Sequence, residues 1–424
     1  MKQQAKLIVS LSAIGAAFWI VAAIRPVDRQ AWALENILLL VFVGALALSW
    51  RRLRLSSTSW VLFAAFVILH TIATHYTYEK MPLGIWAKNF FHLPRNHYDR
   101  FAHGAFGFLL AFSIRELLLR FSGIRRGVWS LALPVVIILA VSGCFEIIES
   151  VVAEIVAPGK GVDWLGGQGD EWDAQNDMIA ALVGALLMMS AVAVVERLCP
   201  HLFPLPRGEE AAQRPMRATS TRTTARKIDI YFLPIVAACY VVFWVALAVH
   251  PLDRGDWLLE NPLIFISVAV LGFTYRKFQF SHISYVLILI FLSFHTIGAH
   301  YTYAKVPAGF WLQHWLHLSR NHYDRVIHFS FGLLLLYPMR ELLRRTACAK
   351  PLWAICLALA ALAGLSSFFE VIEAVIAQLV RPDLGAAYLG TQGDIWDAQK
   401  DMGAAFAGAV LTAALLAWRS GKPA

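Results

Sequence analysis

Ionisable side chains with metal-binding chemistry stand in pairs three or four positions apart along the first half of the chain. The pairs are Asp99 with His103, Glu146 with Glu149, and Asp173 with Asp177. Residues at this spacing share one face of an α-helix. Imidazole and carboxylate groups without thiols suit zinc, manganese, iron or magnesium. The spacing therefore predicts a divalent-metal site made by His75, Asp99, His103, Asp173 and Asp177.

The same groups recur about 225 positions later in the chain. RNHYDRFAH at 95–103 returns as RNHYDRVIH at 320–328, and LGGQGDEWDAQNDM at 165–178 returns as LGTQGDIWDAQKDM at 389–402. An internal repeat of this kind defines the architecture, because each copy is one structural unit. The equivalent metal ligands of the second copy are His300, Asp324, His328, Asp397 and Asp401.

The elements that position these groups are predicted to be membrane helices. Hydrophobic residues make up 58% of the 424, charged residues 15%, and the mean hydropathy is +0.59. A membrane-spanning helix needs about 20 apolar residues, and each copy contains six such runs. We expect an all-α polytopic transmembrane bundle of two parallel six-helix repeats, about twelve spans in all, forming an intrachain pseudo-dimer. This composition excludes a large soluble domain.

The two copies are predicted to be separate membrane repeats. The first occupies residues 1–199 and the second residues 227–424. Residues 200–226 are basic and rich in Pro, Arg and Thr, which is typical of a linker that cannot bury itself. Because six spans return the chain to its starting side, this linker is expected to be cytoplasmic.

The net charge of +9 indicates the lipid bilayer, not a nucleic acid, as the partner. Basic residues in the loops of a membrane protein face anionic lipid and mark the cytoplasmic side. On a six-span count the following residues fall on one side: Lys2, Lys6, Arg51, Arg52, Arg54, Arg120, Arg125 and Arg126. Both termini are therefore expected in the cytoplasm, with the metal site facing the periplasm or exterior.

Four arginines depart from this pattern because they lie on the predicted outer side: Arg95, Arg100, Arg320 and Arg325. Each pair either binds a phosphate or carboxylate group bidentately or neutralises the neighbouring acids. In an enzyme, a metal-activated water would attack a phosphoryl or acyl centre. The base would then be Glu146 or Glu149 in the first copy and Glu370 or Glu373 in the second.

The motifs HYTY…P.G.W, RNHYDR..H, FE.IE and G.QGD.WD.Q.DM resemble the YjdF-like family of uncharacterised bacterial inner-membrane proteins over essentially the whole chain, twice. The resemblance implies a multi-pass inner-membrane protein built as a tandem duplicate of a unit that usually occurs once. It implies no activity. A weaker resemblance to VanZ-like membrane proteins rests on Asp99, Arg100 and His103, then Glu146 and Glu149, then Asp173, Asp177 and Gly184. Asp177 stands where that family has asparagine.

Three classes of function remain open on the sequence. The leading hypothesis is metal-dependent hydrolysis or group transfer on a lipid-linked or cell-envelope substrate. Two parallel six-helix halves are also the arrangement of a secondary transporter. In a non-catalytic assembly or sensing protein, the same cluster would be a purely structural network.

Overall fold

The computed structural model describes residues 2–156, 168–199, 232–380 and 392–420. The predicted linker at 200–226 lies outside these residues. The first copy contains α1 (Lys2–Ala22), α2 (Arg29–Leu53), α3 (Ser57–His75), α4 (Pro82–Phe90), α5 (Tyr98–Leu117), α6 (Val128–Val156) and α7 (Asp173–Leu198). The second contains α8 (Phe232–Ala248), α9 (Arg254–Thr274), α10 (His282–Tyr301), α11 (Pro307–Leu316), α12 (Tyr323–Thr346), α13 (Pro351–Leu379) and α14 (Asp397–Ser420). The described part of the chain contains no β-strand.

Eleven of the described helices are long and apolar enough to cross a membrane. The shorter apolar helix α8, with 17 residues, is the counterpart of α1. Two further helices, α4 and α11, have nine and ten residues and are too short to span a bilayer. The predicted all-α membrane bundle of two repeats is confirmed.

Helix starts follow from capping residues that both copies keep. The Asp28 carboxylate accepts hydrogen bonds from the backbone N–H groups at the start of α2, and Asp253 does the same for α9. The Ser56 and Ser281 hydroxyls cap α3 and α10 in the same way. These side chains satisfy backbone donors that no helical carbonyl can reach.

Helices α5 and α7 touch backbone to backbone through glycines. A Cβ atom at Gly107 would collide with the Ala181 carbonyl, and one at Gly184 would collide with the Gly104 carbonyl. Small residues allow this close approach between membrane helices. Because Asp99 and Asp177 lie near the starts of these two helices, the contact brings the ionisable groups of α5 and α7 together.

The two copies meet along α6 and α13, which pack against each other. Gly143 faces the Ser367 hydroxyl, and Gly364 faces the Val136 carbonyl at distances that leave no room for a Cβ atom. Beside this seam, a hydrophobic cluster takes one half of its buried residues from each copy: Leu139, Met178, Val371 and Met402. This contact supports the predicted intrachain pseudo-dimer.

By compactness the chain divides into one unit of residues 1–189 with 324–424 and a second unit of residues 190–323. The first unit contains α1 to α6, most of α7, and helices α12 to α14. It therefore contains the clusters of ionisable side chains of both copies. The second unit contains α8 to α11.

Candidate functional site

The structure brings together three of the five predicted metal ligands in each copy. In the first copy, one ligand atom each from Asp99, His103 and Asp177 lie within 4.8 Å of one another. In the second copy, Asp324, His328 and Asp401 form the same arrangement. Within each set the imidazole Nε2 lies close to the aspartate Oδ1 four residues earlier, at 3.8 Å and 3.6 Å.

A glutamate from the neighbouring helix completes each cluster. The Glu146 Oε1 atom of α6 lies 3.9 Å from His103 Nε2, and Glu370 Oε1 lies 3.7 Å from His328 Nδ1. Both glutamates are buried, and these oxygens accept no hydrogen bond. A buried acceptor without a donor is costly. A bound cation would satisfy it.

The distances test whether a divalent ion fits. Ligand atoms that each lie about 2.1 Å from a shared ion are at most about 4.2 Å apart. The histidine-to-aspartate distances of 3.8 Å and 3.6 Å fall below this value, and all three ligand atoms of each cluster lie within 4.8 Å of one another. The residues present therefore fit a small divalent cation.

Glu149 and Glu373 lie one helical turn beyond the cluster glutamates. Residues three positions apart share one face of an α-helix, so Glu149 lies on the same face of α6 as Glu146, and Glu373 on the same face of α13 as Glu370. The second glutamate therefore places a further carboxyl group beside the cluster.

His75 and His300 do not join these clusters. The Nδ1 atom of His75 lies 2.8 Å from the Ala22 carbonyl, and that of His300 lies 2.7 Å from the Leu247 carbonyl. Each imidazole thus binds the C-terminal end of the first helix of its copy. The sequence placed His75 at the correct end of α3, but spacing does not show which way a side chain points.

The outer arginines are paired with carboxylates. Arg95 contacts Asp170 at 3.1 Å and Asp173 at 2.7 Å, and Arg100 also pairs with Asp170. In the second copy, Arg325 pairs with Asp394, Asp397 and Asp401, and Arg320 is likewise not free. For Arg95, Arg100 and Arg325, the structure has the second alternative, pairing with neighbouring acids. Asp173 and Asp397 pair with arginines and Asp177 lies beside His103, whereas Asp401 lies beside His328 and also pairs with Arg325.

Hydrogen bonds join two motifs that recur in both copies, RNHYDR and QGD, and the sequence did not predict them. The Gln168 side chain accepts a hydrogen bond from the Asn96 N–H at 3.1 Å and donates one to the Asn96 carbonyl at 2.9 Å. The Asn96 side chain donates to the Glu79 carbonyl at 2.7 Å and accepts from the Tyr98 N–H at 2.9 Å. The RNHYDR and QGD motifs therefore hold each other. The only signal in the sequence was that both motifs recur in the second copy.

Asp170 is more exposed than the cluster residues His103 and Asp177. The exposed fraction is 21% for the Asp170 side chain, 12% for the His103 side chain and 3% for Asp177. Asp170 precedes α7, whereas His103 and Asp177 lie in the second turn of their helices. The cluster is thus reached from the ends at which α5 and α7 begin.

Charges at the ends where α5 and α7 begin, here called the entrance, shift the pKa values of two residues outside the membrane-spanning helices, His97 and Asp394. Partial burial, together with the positive charges of Arg100 and Arg95, lowers the pKa of His97. Its imidazole is therefore neutral near pH 7, and Arg100 donates to its Nδ1 at 3.1 Å. Burial alone would raise the pKa of Asp394, but hydrogen bonds from Lys400 and the Trp396 N–H outweigh it and lower that pKa.

A second polar set lies deeper in each copy. The Tyr78 hydroxyl lies 2.6 Å from His70 Nδ1, and the Tyr303 hydroxyl is hydrogen-bonded to His295 Nδ1. The Nε2 atom of His295 lies 3.1 Å from the Glu260 carbonyl and 3.9 Å from its carboxylate. Each of these histidines is thus hydrogen-bonded to a tyrosine, and His295 is also buried.

Comparison with known proteins identifies the family of the chain. The family model described as "Predicted membrane protein (DUF2238)" matches twice, at residues 7–197 and 232–422. The chain is also 38% identical over 182 residues to "Inner membrane protein YjdF" of Escherichia coli (strain K12), which covers 42% of this chain and 84% of that protein. No solved structure matches. Together with its many apolar helices, this similarity shows a multi-pass inner-membrane protein. The chain belongs to the DUF2238 family of predicted membrane proteins and carries the family's unit twice.

Proposed function

We propose that the protein binds a divalent cation in its clusters of Asp, His and Glu and uses it for hydrolysis or group transfer on a lipid-linked or cell-envelope substrate. One observation carries the proposal. In both copies, a histidine and two aspartates converge, and a buried glutamate oxygen that accepts no hydrogen bond lies beside the imidazole.

The charge balance of the first copy supports a cation. Six carboxyl groups gather near the starts of α5 and α7 and along α6: Asp99, Glu146, Glu149, Asp170, Asp173 and Asp177. Arg95 and Arg100 are the arginines beside them, and they pair with Asp170 and Asp173. Carboxylates crowded in a poorly solvated place repel unless they are protonated or bound to a cation. The four remaining acids therefore favour binding of a positive ion.

The chemistry of the cluster suits attack by water. A divalent ion bound by three protein ligands can activate water and polarise a phosphoryl or acyl oxygen. Glu146 stands beside His103 and can take the proton released by that water. Glu149, three residues later on the same face of α6, is placed to accept it next. Arg95 and Arg100 line the entrance, where an anionic group would compete with Asp170 and Asp173 for them.

The surroundings of the entrance favour a substrate held at the membrane surface. Helix α4, which precedes α5, carries exposed Trp86 and Phe90, whose rings stack 5.3 Å apart. Exposed aromatic side chains on a short helix are typical of the membrane–water interface. The positive-inside pattern supports an entrance that faces the periplasm or exterior, with both termini in the cytoplasm.

Metal analysis of the purified chain tests the core of this proposal. We expect bound Zn, Mn, Fe or Mg by elemental analysis, and its loss when Glu146→Gln is combined with Glu370→Gln. The matched control combines His75→Asn with His300→Asn, which alters retained histidines outside the clusters and leaves the metal in place. Wild-type protein that holds no divalent metal, even after equilibration with each of the four ions, would refute the proposal.

Secondary transport is the second candidate, and the deeper polar set favours it. The Tyr78–His70 hydrogen bond lies within the bundle, and such groups are typical of proton pathways. Proton flux in proteoliposomes tests this function. A substrate-dependent flux that disappears with His70→Ala and His295→Ala together would favour transport over hydrolysis.

A further inference from the structure

The two cation sites differ in the charged residues that surround them. Lys400 in the second copy stands where the first copy has Asn176. The Lys400 ammonium contacts both carboxylate oxygens of Asp394, at 2.9 Å and 3.1 Å. The six carboxyl groups are of the same residue types in both copies, whereas Glu171 beside Asp170 has Ile395 as its counterpart. Lys400 therefore adds a positive group beside Asp394, and it also contacts Glu154 at 3.0 Å.

In the first copy, Arg95 and Arg100 pair with carboxylates at the entrance. Asp170 pairs with both Arg95 and Arg100 and lies 3.4 Å from the Asn176 side-chain amide. Asp177 and its equivalent Asp401 are each only 3% exposed, and neither Oδ1 atom accepts a hydrogen bond, so the two copies differ in the charged groups around these carboxylates. The Asp177 carboxylate faces the Asp99–His103 pair. Its negative charge is available to a cation.

In the second copy, an arginine reaches the cluster itself. The Arg325 Nε atom lies 3.0 Å from Asp401 Oδ1, and its Nη2 atom lies 2.5 Å from Asp397 Oδ1. Asp394 contacts both Lys400 and Arg325, whereas its first-copy equivalent Asp170 contacts Arg95 and Arg100. Asp401, the equivalent of Asp177, is therefore already paired with a positive group.

We infer that the two sites are unequal: the first copy holds a divalent cation tightly, and the second copy binds it more weakly because Lys400 and Arg325 neutralise its carboxylates. This inference rests on the proposed cation binding. An added unit charge a few ångströms from a poorly solvated site changes affinity by on the order of tenfold or more. At limiting metal, the chain then holds one ion.

Titration of the purified full-length chain with Mn²⁺, followed by electron paramagnetic resonance of the free ion, measures both sites. We expect one tight and one weak site. Asp177→Asn removes the tight site, whereas Asp401→Asn leaves it. Lys400→Asn raises the affinity of the weak site by on the order of tenfold. Glu154→Gln is the matched control, because it removes the other partner of Lys400 and keeps the charge beside Asp394.

Asn176→Lys is a second test of the tight site. It keeps all cluster carboxylates, so it can be used if Asp177→Asn does not fold. We expect it to weaken the tight site. Two sites of equal affinity, with equal losses in the Asp177→Asn and Asp401→Asn variants, would overturn the inference and leave the proposed function intact. A tight site that is lost with Asp401→Asn would also overturn it. Absence of Mn²⁺ binding would overturn the inference, whereas only absence of all four ions in the elemental analysis would refute the proposed function.

Discussion

Replacement of Asn96 by alanine should destabilise the protein strongly, although Asn96 contacts none of the candidate metal ligands. The residue is 3% exposed and lies between α4 and α5. Its side chain donates to the carbonyls of Glu79 and Met81 and accepts from the Tyr98 N–H. Gly84 of α4 packs directly on the same amide group. One side chain thus fixes the loop, α4 and the start of α5.

The expected cost follows from these contacts. Each hydrogen bond contributes a net ~1 kcal/mol, and a buried donor left without an acceptor costs ~1–3 kcal/mol. The Tyr98 N–H lies in a buried position after substitution, so water cannot replace the Asn96 oxygen. We expect Asn96→Ala to lower the free energy of unfolding by about 2–4 kcal/mol. Asn96→Asp keeps the acceptor for Tyr98 and should cost less.

Thermal unfolding of the detergent-purified protein measures this effect. At about 2–4 °C per kcal/mol, the midpoint should fall by roughly 5–15 °C. Asn321→Ala provides the equivalent change in the second copy, where Asn321 donates to the Val306 carbonyl and accepts from the Tyr323 N–H. A midpoint within one or two degrees of wild type for both alanine variants would show that the Asn96 and Asn321 side chains do not hold this loop, and would favour a direct functional role for the RNHYDR motif.

Three further predictions follow from the packing and the entrance. Gly408→Ala should cost ~1–3 kcal/mol of stability because its Cβ would collide with a backbone carbonyl of α12. In the same thermal assay, Gly403→Ala on the same helix should be neutral or stabilising, because its Cβ meets no atom. His75→Ala should cost ~1 kcal/mol through its lost hydrogen bond, with elemental analysis showing unchanged metal. Because the pKa of His97 is lowered in the folded state, the free energy of unfolding should fall as the pH drops below 6.5, the ordinary pKa of histidine. Thermal midpoints measured between pH 5 and 8 should therefore decline less with falling pH in His97→Gln than in wild type. An identical decline in the two proteins would contradict the lowered pKa of His97.

The fold was predictable because the signals that specify it are long and repeated. Each membrane helix is an apolar run of about 20 residues, and the duplication shows every run twice. The short helices were harder to place because nine or ten residues cannot span a bilayer. Pro82 and Pro307 begin these helices, and both residues are visible in the sequence as helix-start signals.

The cluster was predictable only as far as helical spacing reaches. Spacing of four residues places Asp99 with His103 and Asp173 with Asp177, but it does not rank the two aspartates. Their roles separate because Asp173 faces Arg95, at 2.7 Å, whereas Asp177 lies one turn deeper, beside His103. Such assignments depend on how α5, α6 and α7 rotate against one another. The glycine contacts between helices set that rotation, and no local pattern encodes it.

The unshared residues show that the two copies form one molecule. Glu154 of α6 has Gln378 as its counterpart, and Lys400 of α14 has Asn176. Considered within its own copy, each charge looks dispensable, but Glu154 and Lys400 lie 3.0 Å apart and pair across the seam between the copies. A symmetric dimer of identical units would place the same pair at two positions. In this chain the pair exists once. Lys400 also pairs with Asp394, so the asymmetric residue at the seam also contacts the entrance of the second site. Duplication within one chain thus permits what two identical subunits cannot have, namely two sites of the same ligands with different charge.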